Sequence, residues 1–141
     1  MAWVFDASIA AAWCFDSEKT PATEALLDRL GSESAAVPNL FHLEIANVLT
    51  QALRQKAPRL TPEKRRQFLE LLGAAPIHVD DQTARQAWDA TLALADRHKL
   101  STYDAAYLEL ALRLHAELAT LDVALRKAAG VDGVCVIPAS A

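Results

Sequence analysis

Cysteine and glycine are scarce in this chain of 141 residues, and each scarcity excludes something. Two cysteines, Cys14 and Cys135, are too few for a disulfide scaffold, and they form no Cys-x-x-Cys pair. Both sit among apolar neighbours, Trp13-Cys14-Phe15 and Val134-Cys135-Val136. They are expected to be small buried hydrophobes in a reduced, cytoplasmic setting. The four glycines, Gly31, Gly73, Gly130 and Gly133, are too scattered to cradle a nucleotide. No phosphate-binding loop, dinucleotide fingerprint or Gly-x-Ser-x-Gly elbow occurs. A basic excess is also lacking: 14 Lys and Arg face 18 Asp and Glu, for a net charge of −4. That argues against a non-specific nucleic-acid coat but leaves room for an enzyme with a local site. No apolar run approaches the ~20 residues that span a bilayer. No basic leader precedes Asp6, so no signal peptide is expected.

What the chain does have is 52% apolar residues, enough to bury a core, and a length that fits one domain over 1–141. Short apolar runs recur: Ala2-Trp3-Val4-Phe5, Ala35-Ala36-Val37, Ile77-His78-Val79, Leu118-Ala119-Thr120-Leu121 and Val134-Cys135-Val136-Ile137. Each stops at Asp or Pro. Such runs predict strands buried on both faces. Helix-length segments separate them, at 8–15, 21–30, 40–56, 62–72, 81–98, 102–115 and 123–129. Thr61-Pro62 reads as an N-cap followed by a first-position proline, Asp80-Asp81 as the cap of the 81–98 helix, and Gly130 as a helix stop. Strands alternating with helices predict a parallel sheet covered on both faces.

In such a sheet, functional groups gather outside the carboxyl ends of the strands. Two predicted strands run straight into an aspartate, at Val4-Phe5-Asp6 and Thr120-Leu121-Asp122. Two further acids, Glu44 and Asp104, interrupt otherwise apolar helices. Each has an ordinary alternative. Asp6 and Asp122 are also good helix caps, and Asp104 suits a first helical turn. Glu44 is harder to dismiss, because a buried carboxylate is costly unless paired. Asn47 and Gln51 continue its helix face as a polar stripe, toward water or toward a site. Four converging carboxylates would repel one another unless a cation offset them. Oxygen-only ligands favour Mg²⁺ or Mn²⁺ over zinc, and the chemistry such an ion supports is phosphodiester hydrolysis by activated water.

Four stretches also resemble one family. They are Trp3-Val4-Phe5-Asp6-Ala7-Ser8, Leu43-Glu44-Ile45-Ala46-Asn47-Val48-Leu49, the long run from Leu100 through Asp104 to Ala111, and the run from Leu118 through Asp122 to Ala129. In this order they are similar to the PIN-domain family, specifically the VapC-type ribonuclease toxins of type II toxin–antitoxin pairs. The resemblance implies a three-layer α/β/α sandwich with a five-stranded parallel sheet in the order 3-2-1-4-5. It implies a Mg²⁺- or Mn²⁺-dependent endoribonuclease in which Asp6, Glu44, Asp104 and Asp122 hold metal directly or through water. Ser8 and Thr120 would support them as hydroxyls, with Asn47 a nearby polar contact. A cognate antitoxin protein and a homodimer are implied as well.

Six of the basic residues, Arg54, Lys56, Arg59, Lys64, Arg65 and Arg66, crowd into positions 54–66 against one acid, Glu63. They suit either a solvated helix corner or a phosphate-contacting patch beside the Glu44 helix, with Arg54, Lys56, Arg65 and Arg66 as candidate RNA contacts. His42, His78, His98 and His115 have no metal-ligand spacing, although His98 precedes the Asp104 helix and could approach the site. Trp3, Trp13 and Trp88 are expected in the core or at a dimer interface rather than as stacking platforms. Two other functions compete. A haloacid-dehalogenase-type phosphatase also opens on a strand-end Asp, but it needs an acid two residues later, where this chain has Ser8. A non-catalytic binding module would have no need of all four acids.

Overall fold

The computed structural model describes residues 2–140. Five short strands form one all-parallel sheet in the order β3-β2-β1-β4-β5. These strands are β1 (Trp3–Phe5), β2 (Ala35–Val37), β3 (Ile77–Val79), β4 (Glu117–Ala119) and β5 (Val136–Ile137). Among the described residues, eight α-helices connect them: α1 (Ala7–Cys14), α2 (Pro21–Ser32), α3 (Phe41–Arg54), α4 (Pro62–Ala74), α5 (Thr83–Gln86), α6 (Ala90–His98), α7 (Thr102–Leu114) and α8 (Val123–Val131). The parallel sheet is that expected from the sequence pattern, and its order is the one the resemblance implies. Right-handed crossovers then carry α1 to α4 across one face and α5 to α8 across the other. The packing agrees: α1 lies against α2 and α3, while α7 lies against β1, β4, α5, α6 and α8.

The core sits where β1 is covered on both sides. Trp3, Val4 and Phe5 are fully buried. Phe5 stacks at ring-centroid distances of 5.6, 5.0 and 5.2 Å from Trp3, Trp13 and Phe41. Buried indoles need a hydrogen-bond acceptor. Trp13 Nε1 donates to the Thr23 carbonyl at 2.8 Å and Trp3 Nε1 to the Glu33 carbonyl at 3.2 Å. Thr61 caps α4 as expected, its hydroxyl accepting from the Lys64 amide at 3.2 Å with Pro62 in the first turn.

Several expectations are corrected. β3 is an edge strand, so His78 and Val79 are exposed rather than buried on both faces. β4 ends at Ala119, leaving Thr120 and Leu121 as a connector before Asp122. The 81–98 segment is two helices, broken at Ala87–Asp89 without proline or glycine to mark it, and Trp88 at the break is 92% exposed, outside the core. Asp80 and Asp81 do not cap a long helix. The Asp80 carboxylate takes both terminal nitrogens of Arg113, at 3.0 and 2.8 Å, and the Thr83 hydroxyl at 3.0 Å. Glu109 shares the same guanidinium at 2.8 and 2.9 Å, so a nearly buried pair of acids braces α7 against the end of β3. Gly130 lies within α8, and it is Gly133, at φ +79°, that takes up the left-handed turn. Cys135 is exposed and Cys14 only half-buried, because β5 starts one residue after Cys135 and α1 ends at Cys14.

Candidate functional site

The four sequence-selected acids share one structural property: each sits at the start of a different helix. Asp6 is the N-cap of α1 and Asp122 of α8, while Glu44 and Asp104 lie in the first turns of α3 and α7. In a parallel sheet those helix starts follow the carboxyl ends of the strands, and their positive dipole ends favour carboxylates. The capping alternatives for Asp6 and Asp122 are therefore also true, without displacing a second role.

Asp6 is the most constrained. Its Oδ1 accepts from the Ser8 amide at 3.0 Å, the Ile9 amide at 3.3 Å and the Ser8 hydroxyl at 2.6 Å. Its Oδ2 accepts from the Thr120 hydroxyl at 2.5 Å. The two hydroxyls also organise the β4–α8 connector. Ser8 Oγ accepts the Leu121 amide at 2.9 Å and Thr120 Oγ1 the Asp122 amide at 3.1 Å. Asp122 completes the chain by accepting the Leu125 amide at 2.8 Å through Oδ1. Ser8 and Thr120 thus physically link Asp6 to Asp122.

The charges of the four acids are coupled. Burial raises the Asp6 carboxyl above its ordinary range, against the pull of its four hydrogen bonds. Glu44 is raised by burial, opposed by a hydrogen bond from Tyr107, and raised further by Asp104 and Asp6. Asp104 is raised by burial and by Asp122. Among the described residues, no ion pair involves any of the four. Each of the four thus lies within electrostatic reach of another, and no protein cation answers them. As oriented, however, they are not drawn together into a ligand shell. Among the described residues, no three His, Cys, Asp or Glu side chains stand close enough to hold an ion. The reason is visible at each: Asp6 has both oxygens engaged, Asp122 Oδ1 caps α8, and Glu44 Oε1 accepts from the Tyr107 hydroxyl at 2.5 Å. All-oxygen donors with shared excess negative charge still fit a hard cation that retains waters.

Two contributors are not singled out by the sequence. Tyr107 lies three residues after Asp104, a spacing that puts both on one face of α7. Arg126 donates to the Thr120 carbonyl at 2.8 Å and the Pro138 carbonyl at 2.7 Å, tying the connector to the segment after β5.

The remaining candidates lie elsewhere. Asn47 and Gln51 are exposed, so the polar stripe of α3 faces water. Arg54, in the last turn of α3, lies about 15 Å along the helix axis from Glu44 at 1.5 Å per residue. Lys56 is exposed beyond it. Arg65 is half-buried, and Arg66 is paired within its own helix to Glu70 at 2.9 Å and Glu63 at 3.5 Å. Arg59 is held by Glu18 and lies 4.1 Å over the Phe15 ring, beyond the far end of α1 from Asp6. His98 approaches none of the four acids and bonds Asp132 at 2.9 Å.

A PIN domain family model matches residues 3–131. The chain belongs to the PIN domain family. Members of that family are generally nucleases. Among solved structures, the chain is similar to PAE2754 from Pyrobaculum aerophilum, with 18% identity, 97% of this chain and 90% of that chain covered, and a TM-score of 0.68. It is similar to a toxin–antitoxin complex from Klebsiella pneumoniae, with 18% identity, full coverage of both chains and a TM-score of 0.66. It is also similar to VapBC2 from Rickettsia felis, solved on a DNA fragment from the promoter of that pair, with 10% identity, 96% of this chain and 97% of that chain covered, and a TM-score of 0.61. At these identities the likeness is one of fold. No curated protein matches the chain closely enough in sequence to count as a relative. Among the described residues, no helix is long and apolar enough to cross a membrane.

Proposed function

We propose that this PIN domain is a divalent-metal-dependent endoribonuclease, the toxin component of a toxin–antitoxin pair. The observation that carries the reading is the placement of Asp6, Glu44, Asp104 and Asp122 at four helix starts, Asp6 linked to Asp122 through Thr120, with no ion pair to any of the four among the described residues. These four residues would hold Mg²⁺ or Mn²⁺, directly or through water. When bound, such an ion supplies a nucleophilic water near neutral pH and offsets charge growing on the phosphate.

The chain's own residues prepare that site. Ser8 and Thr120 fix the Asp6 carboxylate through both of its oxygens and hold Asp122 at the head of α8. Their hydroxyls donate rather than ligate, which orients the acids as outer partners of a metal site do. Asn47, exposed one turn beyond Glu44, would be a nearby polar contact of the site. Arg54, Lys56, Arg65 and Arg66 would be weaker RNA backbone contacts away from the scissile phosphate. The toxin reading, with a cognate antitoxin as partner, is supported by the neighbours described as toxin–antitoxin assemblies, and a homodimer in the cytoplasm goes with it as the family resemblance implies. We take residues 1–141 as one such nuclease domain. The phosphatase alternative gains nothing, since the hydroxyl of Ser8 serves Asp6 as a donor where that chemistry needs an acid.

The test is cleavage of a single-stranded RNA with Mg²⁺, with Mn²⁺ and with chelator, together with analysis of the new ends. Metal-dependent cleavage that leaves no cyclic phosphate supports attack by water. Equal cleavage in chelator, or cyclic phosphate ends from attack by the neighbouring ribose hydroxyl, would refute it.

A further inference from the structure

Among the described residues, Tyr107 is the one side chain that bonds Glu44. Its ring is 1% exposed in the middle of α7, and its hydroxyl donates to Glu44 Oε1 at 2.5 Å across the gap between α7 and α3. A buried phenol needs a partner, and a carboxylate is a strong one. The ring itself has little freedom, because it is almost wholly buried in the core. Glu44, by contrast, is half-buried on a long side chain whose neighbours Leu43 and Asn47 are open to water. Left alone, it would sample several rotamers.

We propose that Tyr107 is a positioning residue: its hydroxyl fixes the Glu44 carboxylate by occupying Oε1 and leaves Oε2 as the oxygen offered to a divalent cation. This rests on the metal-dependent reading above. The phenol acts only as a donor. In this bond the phenol O–H donates and the carboxylate oxygen accepts. Asp104 and Tyr107, one turn apart on α7, would then act together, one as a ligand and the other by fixing a ligand on the opposite helix.

The test is Mn²⁺ binding to the full chain, followed by loss of the free-ion signal in electron paramagnetic resonance. Wild type is compared with Tyr107→Phe, Glu44→Ala and the double variant, and circular dichroism verifies folding. Outer partners of metal ligands are worth about tenfold or more in affinity. Tyr107→Phe is expected to weaken Mn²⁺ binding about tenfold while keeping the wild-type fold, and to add nothing once Glu44 is gone. Wild-type affinity in Tyr107→Phe overturns the proposal alone, as does a Tyr107→Phe effect that persists undiminished in the Glu44→Ala background. Absence of Mn²⁺ binding by the wild type overturns both the proposal and the metal-dependent reading.

Discussion

Thr120→Val is the sharpest probe of how the acids are held. Thr120 is fully buried, and its hydroxyl has two roles: it donates to Asp6 Oδ2 at 2.5 Å and accepts the Asp122 amide at 3.1 Å. Valine keeps the volume and removes both bonds. A hydrogen bond to a charged group contributes about 1.5–3 kcal/mol and a neutral one about 0.5–1.5 kcal/mol, with the loss felt in full where the orphaned group stays buried. Asp6 is 5% exposed, so Oδ2 gains little water in return. The expected loss is about 3 kcal/mol, which for a chain of this size is a Tm lower by about 10 °C. Urea unfolding at neutral pH without divalent metal, followed by circular dichroism, reads it as a shift in midpoint at constant slope. Thr120→Ser keeps the hydroxyl and loses one methyl, so it should cost only about 1 kcal/mol. A Thr120→Val loss under about 1 kcal/mol, or equal losses in the two variants, would refute the hydroxyl's role.

The other predictions concern the brace on α7, pH and metal binding. Arg113→Leu leaves Asp80 and Glu109, 6% and 5% exposed, without their shared cation, and should cost about 3–5 kcal/mol in the same unfolding assay. A loss below 1 kcal/mol would mean that the brace is not made in solution. In the metal-free protein, the raised carboxyls of Asp6, Glu44 and Asp104 are best tolerated while protonated. Their contribution is full below the unfolded values near 4 and is lost as pH rises through the higher folded values, so Tm should fall as pH rises above about 4. For Asp80, burial pushes the carboxyl up, but Arg113 and Thr83 outweigh it and hold it low, so its contribution is present above about pH 4 and lost below. Asp6→Asn should flatten the upper limb of a Tm–pH scan, and an unchanged slope would contradict the assignment. Metal binding requires the deprotonated acids, so Mn²⁺ affinity should weaken on acidification over the same upper range, as a calorimetric titration at several pH values would record.

Much of this was legible in the sequence because a parallel sheet concentrates its signals. A strand buried on both faces reads as a short apolar run, and Val4-Phe5-Asp6 announces both the run and the acid at its end. The same logic failed at the edges. Ile77-His78-Val79 looks like a central strand, yet nothing covers its outer side once it is last in the order. Cys135 looks buried by its neighbours, but the strand begins only at Val136. The break before Trp88 has no glycine or proline, so the sequence around it reads as one helix. At the candidate site, residue types and topology brought out the four acids, and Ser8 and Thr120 came with the family resemblance. What remained hidden were contacts made across the fold, Tyr107 to Glu44 and Arg126 to the Thr120 carbonyl, because spacing along one helix says nothing of what the opposite helix presents. The net charge of −4 also reads differently in that light. With the four acids set aside, the remaining 14 balance the 14 basic residues, so the acidic excess equals the candidate site.

The most direct measurement is cleavage of one RNA in Mg²⁺ by wild type and by Asp104→Asn, with Tm measured on both. Asparagine keeps the size of the side chain and removes the charge coupled to Glu44 and Asp122. The account predicts a variant that folds and melts at or above the wild-type temperature while its cleavage falls by orders of magnitude. Wild-type cleavage by a folded Asp104→Asn protein would contradict it.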